Sequence, residues 1–147
     1  MATVQLSAIR SRIATAIGTI SGTKISPLPY QAFGRTTNTI AHKGYAVGIG
    51  GSNAADDRQR TTEGAMLSTD VFVVAAYRIR PKDQLIDVDN ALDFENDIIK
   101  KVLDRTNTTL YQNLHLKLIS SQRQLTDSGE YMLPTLSFEG LHFIPLQ

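Results

Sequence analysis

The side chains best suited to chemistry are three histidines, a stripe of acids and a scatter of bases. His42, His115 and His142 have no histidine partner four residues away and no carboxylate at ligand spacing. The signature of a helical metal centre is therefore missing. His115 and His142 fall in alternating segments and would approach one another if those segments pair as strands. Asp89, Asp93 and Asp97 recur every fourth residue, a spacing that could hold a cation or supply a general acid and base. Carboxylates on a solvated helix face lack the desolvation that tunes catalytic groups, and Lys100 and Lys101 lie within one turn of Asp97. The stripe reads as a solvated or subunit-facing helix side.

Two other patterns invite a ligand. The run Gly48-Ile49-Gly50-Gly51-Ser52 resembles a phosphate loop but lacks the Lys-Ser/Thr of a P-loop and leads into no helix. It reads as a strand end entering a loop. The bases Arg35, Lys43, Arg58 and Arg60 could form a patch, yet Asp56, Asp57 and Glu63 lie among them and no aromatics are interleaved for base stacking. There is no Gly-x-Ser-x-Gly elbow and no cysteine, which excludes that nucleophile, a thiolate metal site and a disulfide framework. The expectation is no catalytic residue, no metal and no cofactor.

The elements that would position these residues fit one domain of 147 residues. Fifteen basic and fourteen acidic residues give a net charge of +1, without the basic excess of a dedicated nucleic-acid binder. The longest apolar stretch, 71–77, is far short of the roughly 20 residues that span a bilayer, so no membrane partner is expected. No secretory signal is read at the N-terminus.

Residues 4–20 carry Leu6, Ile9, Ile13, Ile17 and Ile20 on one helical face, with Thr3 or Ser7 as expected N-cap and Gly22 beyond the end. Residues 21–43 read as irregular around Pro27 and Pro29, with a strand possible across 30–36. Residues 44–50 alternate, and the face holding Ala46, Gly48 and Gly50 is nearly bare, suited to close approach by another backbone. Residues 51–64 read as a long polar loop. Residues 66–80 form the strongest strand: Val71, Val73, Ala75, Tyr77 and Ile79 on one face, Phe72, Val74 and Ala76 on the other, which predicts cover on both sides. Residues 88–105 predict a second helix capped by Asp87, acidic in its first half and basic in its second, as the helix dipole favours. Residues 114–124 alternate, 126–129 form a turn, and 131–144 give a last strand whose apolar parity shifts at Gly140, predicting a β-bulge there.

The predicted fold class is α+β, with two helices packed on one face of a mainly antiparallel sheet in the order α-β-β-α-β-β. Two helices cannot cover all of this apolar sheet surface, so part of it is expected to meet another subunit.

The amphipathic first helix, the strand and long loop, the strand ending Tyr77-Arg78-Ile79-Arg80-Pro81, the acidic-start helix and the closing hairpin with Gln124-Leu125-Thr126 and Gly129-Glu130 together resemble the tail-terminator proteins of long-tailed bacteriophages. These are similar to the minor tail proteins that cap the tail tube. The resemblance covers residues 4–144 and rests on element order and hydrophobic pattern. It implies a structural, non-enzymatic virion protein: a homohexameric ring on the head-proximal end of the tail tube. Such a ring stops tube polymerisation and meets the head-completion or neck proteins. It also implies location in the tail or neck of the virion, with assembly in the host cytoplasm. A domain this long has a diameter of about 38 Å, so six leave a bore on the order of one subunit across, wide enough for genomic DNA to pass. A near-neutral chain would not grip that DNA.

Three contact regions follow for subunits or tube: the 52–62 loop with Asp56, Asp57, Arg58 and Arg60; the polar face of the second helix with Asp93, Asp97 and Lys101; and the strand end bearing Arg78 and Arg80. The alternative readings are another neck or head-completion protein of the same virion, and a small hydrolase or nuclease in which the histidines converge with Asp93 and Asp97.

Overall fold

A computed structural model describes residues 3–26, 41–54, 64–126 and 128–145. The fold is α+β: two helices and a mixed six-stranded sheet. Helix α1 spans Leu6–Gly18, and helix α2 spans Gln84–Val102 behind a one-turn 3-10 helix, Pro81–Asp83. The strands are β1 (Lys24–Ile25), β2 (Gly44–Ala54), β3 (Gly64–Ala75), β4 (Tyr77–Arg78), β5 (His115–Leu125) and β6 (Tyr131–Pro145). Two short strands, β1 and β4, are thus added to the expected order.

β1 pairs with β2 in parallel, and every other pairing is antiparallel. β3 and then β4 run along one edge of β6, while β5 runs along the other. The expected single strand over 66–80 is broken at Ala76, whose N–H bonds to the Gly44 carbonyl instead of the β6 ladder. Cross-strand register aligns Tyr45 with Ala75, Val47 with Val73, Val73 with Leu136, and Val71 with Phe138. These alternate residues form one core with Ile9, Ile13 and Ile17 of α1 and Phe94, Ile98 and Val102 of α2. The spacing that predicts α1 is realised at Ile9, Ile13 and Ile17, which are fully buried, whereas Leu6 is exposed and Ile20 lies beyond the helix end. Tyr45 fixes the helix to the sheet, its hydroxyl donating to the Ala14 carbonyl at 2.8 Å.

Several local expectations are corrected. Neither Thr3 nor Ser7 caps α1; Gln5 holds that position without a side-chain bond, and Ser7 already lies inside the first turn. The start of the chain is fastened instead by the Val4 N–H on the Phe143 carbonyl, 2.7 Å. Asp87 does not cap α2 either. The helix begins three residues before it, and its N-cap, Asp83, makes no side-chain capping bond. The loop expected from residue 51 starts later, because β2 continues to Ala54 across a register shift between Ile49 and Ser52. The possible strand at 30–36 lies outside the described residues.

No bulge occurs at Gly140. The register of β6 runs unbroken past it on both sides. The apolar parity changes for a steric reason: a Cβ at 140 would lie 3.3 Å from Leu116 Cδ2 and 3.4 Å from Leu114 Cδ1, so those leucines fill the glycine's place. The next position on the same face is the buried His142. The shift in this hairpin falls in β5, between Leu118 and Ser120. The bare face of β2 accepts a side chain, not a backbone, for the Phe72 ring lies over Gly48. Ala46 and Ala76 are buried, whereas Phe72 and Val74 are only half-buried.

Candidate functional site

The end of β4 and the start of α2 bring Arg78 and Arg80 together with Asp83, Asp87 and His42. Pro81 ends the strand and starts the 3-10 turn, which swings the chain directly into α2. Arg80 and Asp87 therefore meet across one helical turn. The buried Asp87 accepts from Arg80 Nε at 3.0 Å, Arg80 Nη2 at 3.1 Å and the Arg80 backbone N–H at 2.7 Å. Arg80 Nη2 also lies 3.5 Å from Asp83. The Arg80 side-chain and backbone bonds hold the Asp87 carboxyl below the usual aspartate range. Arg80, expected as a subunit or tube contact, pairs with Asp87 while its side chain stays 58% exposed.

Arg78 differs, being exposed and without an ion pair among the described residues. Its backbone N–H donates to His42 Nδ1 at 3.2 Å, which makes Nε2 the protonated nitrogen of the neutral ring. His42 meets Tyr77 edge-on at 4.5 Å, and Tyr77 in turn contacts Phe94 at 5.8 Å. Burial, with Lys43 and Arg78 nearby, lowers the His42 pKa. His42, Tyr77, Arg78, Arg80, Asp87 and Asn90 line a groove of about 310 Å³.

Asp93, Asp97 and Lys101 lie on later turns of α2 and are all exposed, one turn apart on a single face. Acid before base at four-residue spacing is the favourable order on a helix. Asp56, Asp57, Arg58 and Arg60 lie outside the described residues.

His115 and His142 both line a groove of about 490 Å³, but they do not share a strand face. Leu141, not His142, is the register partner of His115, so the two imidazoles fall on opposite faces of the hairpin. His115 is exposed, whereas His142 is buried with both ring nitrogens engaged. Its Nδ1 lies 2.9 Å from the Val4 carbonyl and its Nε2 lies 2.8 Å from Thr69 Oγ1. A carbonyl only accepts, so Nδ1 carries the hydrogen and the Thr69 hydroxyl donates to Nε2. Thr69 is fully buried, and its oxygen also meets Ser52 Oγ at 2.8 Å. A hydroxyl on a histidine resembles a nucleophile with its base, but here both groups are fully buried. The chain runs from the surface to the N-terminal segment and pins that segment to the sheet. No group of metal-ligating side chains occurs among the described residues.

Sequence reading missed the placing of His42 against β4 and α2, Asn90, Asp87's true partner and the Ser52–Thr69–His142 chain. The signal for Asp87 was present: Arg80 and Asp87 flank Pro81, the residue that turns strand into helix. No protein-family model and no curated protein matches this chain.

Proposed function

We propose that this protein is a structural ring subunit of the tail-terminator kind, capping the head-proximal end of a phage tail tube and joining it to the neck. The observation that carries the reading is the outer edge of β5. This eleven-residue strand pairs only with β6 among the described residues, and Ile119 and Leu125 on it are 52% and 46% exposed. A long edge strand with apolar side chains is a ready template for a neighbouring chain. A closed ring satisfies every such edge at once when the contact between neighbours is head-to-tail.

In this reading both helices cover one face of the sheet, and the opposite face, with the half-buried Phe72 and Val74, turns towards a neighbour. The exposed side of α2 with Asp93, Asp97 and Lys101, together with Arg78, faces subunits or tube. The ring is a homohexamer, its partners are the tube protein and the neck proteins, and genomic DNA only passes through the bore. Its place is the virion tail, reached by assembly in the host cytoplasm. Among the described residues no helix is long and apolar enough to cross a membrane.

The test is mass measurement in solution, alone and with uncapped tail tubes of the same virus, followed by imaging of the tube ends. A ring of six chains, or a monomer that closes into a ring on tube ends, is the expected result. A protein that stays monomeric and never associates with tube ends overturns the reading. Binding to the portal ring instead assigns the chain to the head-completion proteins.

A further inference from the structure

We propose that the groove between His42 and the start of α2 binds one small oxyanion, the group that free phosphate and a carboxylate share. The acid that lines this groove is already spent. Both Asp87 oxygens are taken up by Arg80, one of them by two donors at 2.7 and 3.0 Å and the other at 3.1 Å. What remains is donor capacity. Arg78 is one of the lining residues, exposed and without an ion pair among the described residues. Its planar fork matches the paired oxygens of a carboxylate or phosphate. The His42 ring is fixed by the Arg78 N–H on Nδ1, so Nε2 is a donor whenever the ring is neutral. Asn90, one turn into α2, adds an amide able to donate.

The surrounding field is positive. Lys43 adjoins His42 in the chain and is held by its bond to the Ser21 carbonyl at 3.3 Å, with its ammonium 5.9 Å from the Phe94 ring centre. Beyond burial, Lys43, Arg78 and Arg80 lower the His42 pKa, and the Asp87 carboxylate alone opposes them. A groove of about 310 Å³ has room for one small anion and its residual water. The inference does not depend on ring assembly, since a monomer would bind the anion equally.

The experiment is an NMR titration of the intact protein at fixed pH and ionic strength. Inorganic phosphate and acetate are the two probes, with sodium chloride as the control. Saturable movement of the His42 ring signals and the Arg78 and Asn90 amide and side-chain signals is expected. Phosphate alone saturating assigns a free phosphate, and acetate saturating assigns a carboxylate. Arg78→Gln, whose side chain supports no described contact, should weaken binding by about tenfold or more, the worth of a charged hydrogen bond. Asn90→Ala serves as the second variant and should weaken binding less. No saturation by either probe, the same shifts with chloride, or unchanged affinity in Arg78→Gln overturns the proposal.

Discussion

Glu95 of α2 and Arg123 of β5 form a two-point ion pair, Nη2 at 2.6 Å and Nε at 2.8 Å, both on the same carboxylate oxygen. The other oxygen, Oε1, is buried and has no hydrogen-bond partner among the described residues. The Glu95 side chain is 5% exposed and that of Arg123 is 44% exposed. One partner has lost its water and the other has kept it. That asymmetry makes the two deletions unequal. Arg123→Ala strands a buried carboxylate and should cost about 1–3 kcal/mol, less than a fully buried pair would because the arginine is half solvated. Glu95→Met removes the stranded oxygen together with the charge, fills the space with apolar atoms, and should be close to neutral. Urea unfolding of the two variants checks the order. Equal losses would show that the lost attraction, and not a stranded carboxylate, carries the cost.

The packing of Phe72 on Gly48 gives a second prediction. These residues are register partners on β2 and β3, and a Cβ at 48 would overlap the ring. Gly48→Ala should therefore destabilise by about 1–3 kcal/mol, the usual cost of overpacking. Adding Phe72→Leu should recover part of that loss, because the clash is with the far end of the ring. Thermal unfolding of the single and double variants measures the coupling. Additive losses would place the strain in the backbone instead.

These two pairs show where the sequence is legible and where it is not. The spacing of Ile9, Ile13 and Ile17, and the alternation of Val71, Val73 and Ala75, are periodicities, and periodicity reports which face is buried. It does not report which residue lies opposite on another strand. Glu95 reads as one more acid in the charged half of α2, yet it sits beside Phe94 and one turn before Ile98 on the buried side. Its position was the available clue. The bulge between Leu118 and Ser120 was hidden because serines follow it and leave no parity to shift. At Gly140 the opposite happened: glycine and a buried histidine occupy core positions, so an intact strand mimics a bulged one. The groove at His42 was invisible because residue 42 and the start of α2 are joined only through the β3–β4 chain path.

The buried His142 makes stability depend on pH. Burial lowers its pKa, partly offset by bonds to the backbone of Val4 and Phe143, so the folded ring stays neutral where the unfolded one binds a proton. The unfolded state thus takes up more protons below about pH 6.5. Stability is full above that value and falls as pH drops from it towards the lowered folded pKa. His42 is shifted in the same direction and adds to the slope. His142→Asn keeps a donor for the Val4 carbonyl but cannot titrate. It should lower stability at pH 8 by about 1–3 kcal/mol, because the Thr69 hydroxyl loses its acceptor. The variant's stability should change less between pH 8 and pH 5. Urea midpoints across that range, with His42→Gln as the companion variant, separate the two histidines.

The β5 edge predicts a separation of folding from assembly. Ile119 lies at the irregular step of β5 between Leu118 and Ser120, and its side chain is 52% exposed. It is thus outside the core that holds the monomer together. Ile119→Lys should change stability by no more than about 0.5 kcal/mol, as surface substitutions usually do. A lysine on a sheet edge opposes pairing with another strand, because its charge would have to be desolvated. The variant should therefore remain folded by circular dichroism and unfold at the parent's urea midpoint. Its sedimentation should show monomer where the parent forms rings, or where tube ends recruit the parent. Rings of normal size from Ile119→Lys would move the subunit contact away from β5, and the exposed face of α2 bearing Asp93, Asp97 and Lys101 would then be the surface to vary next.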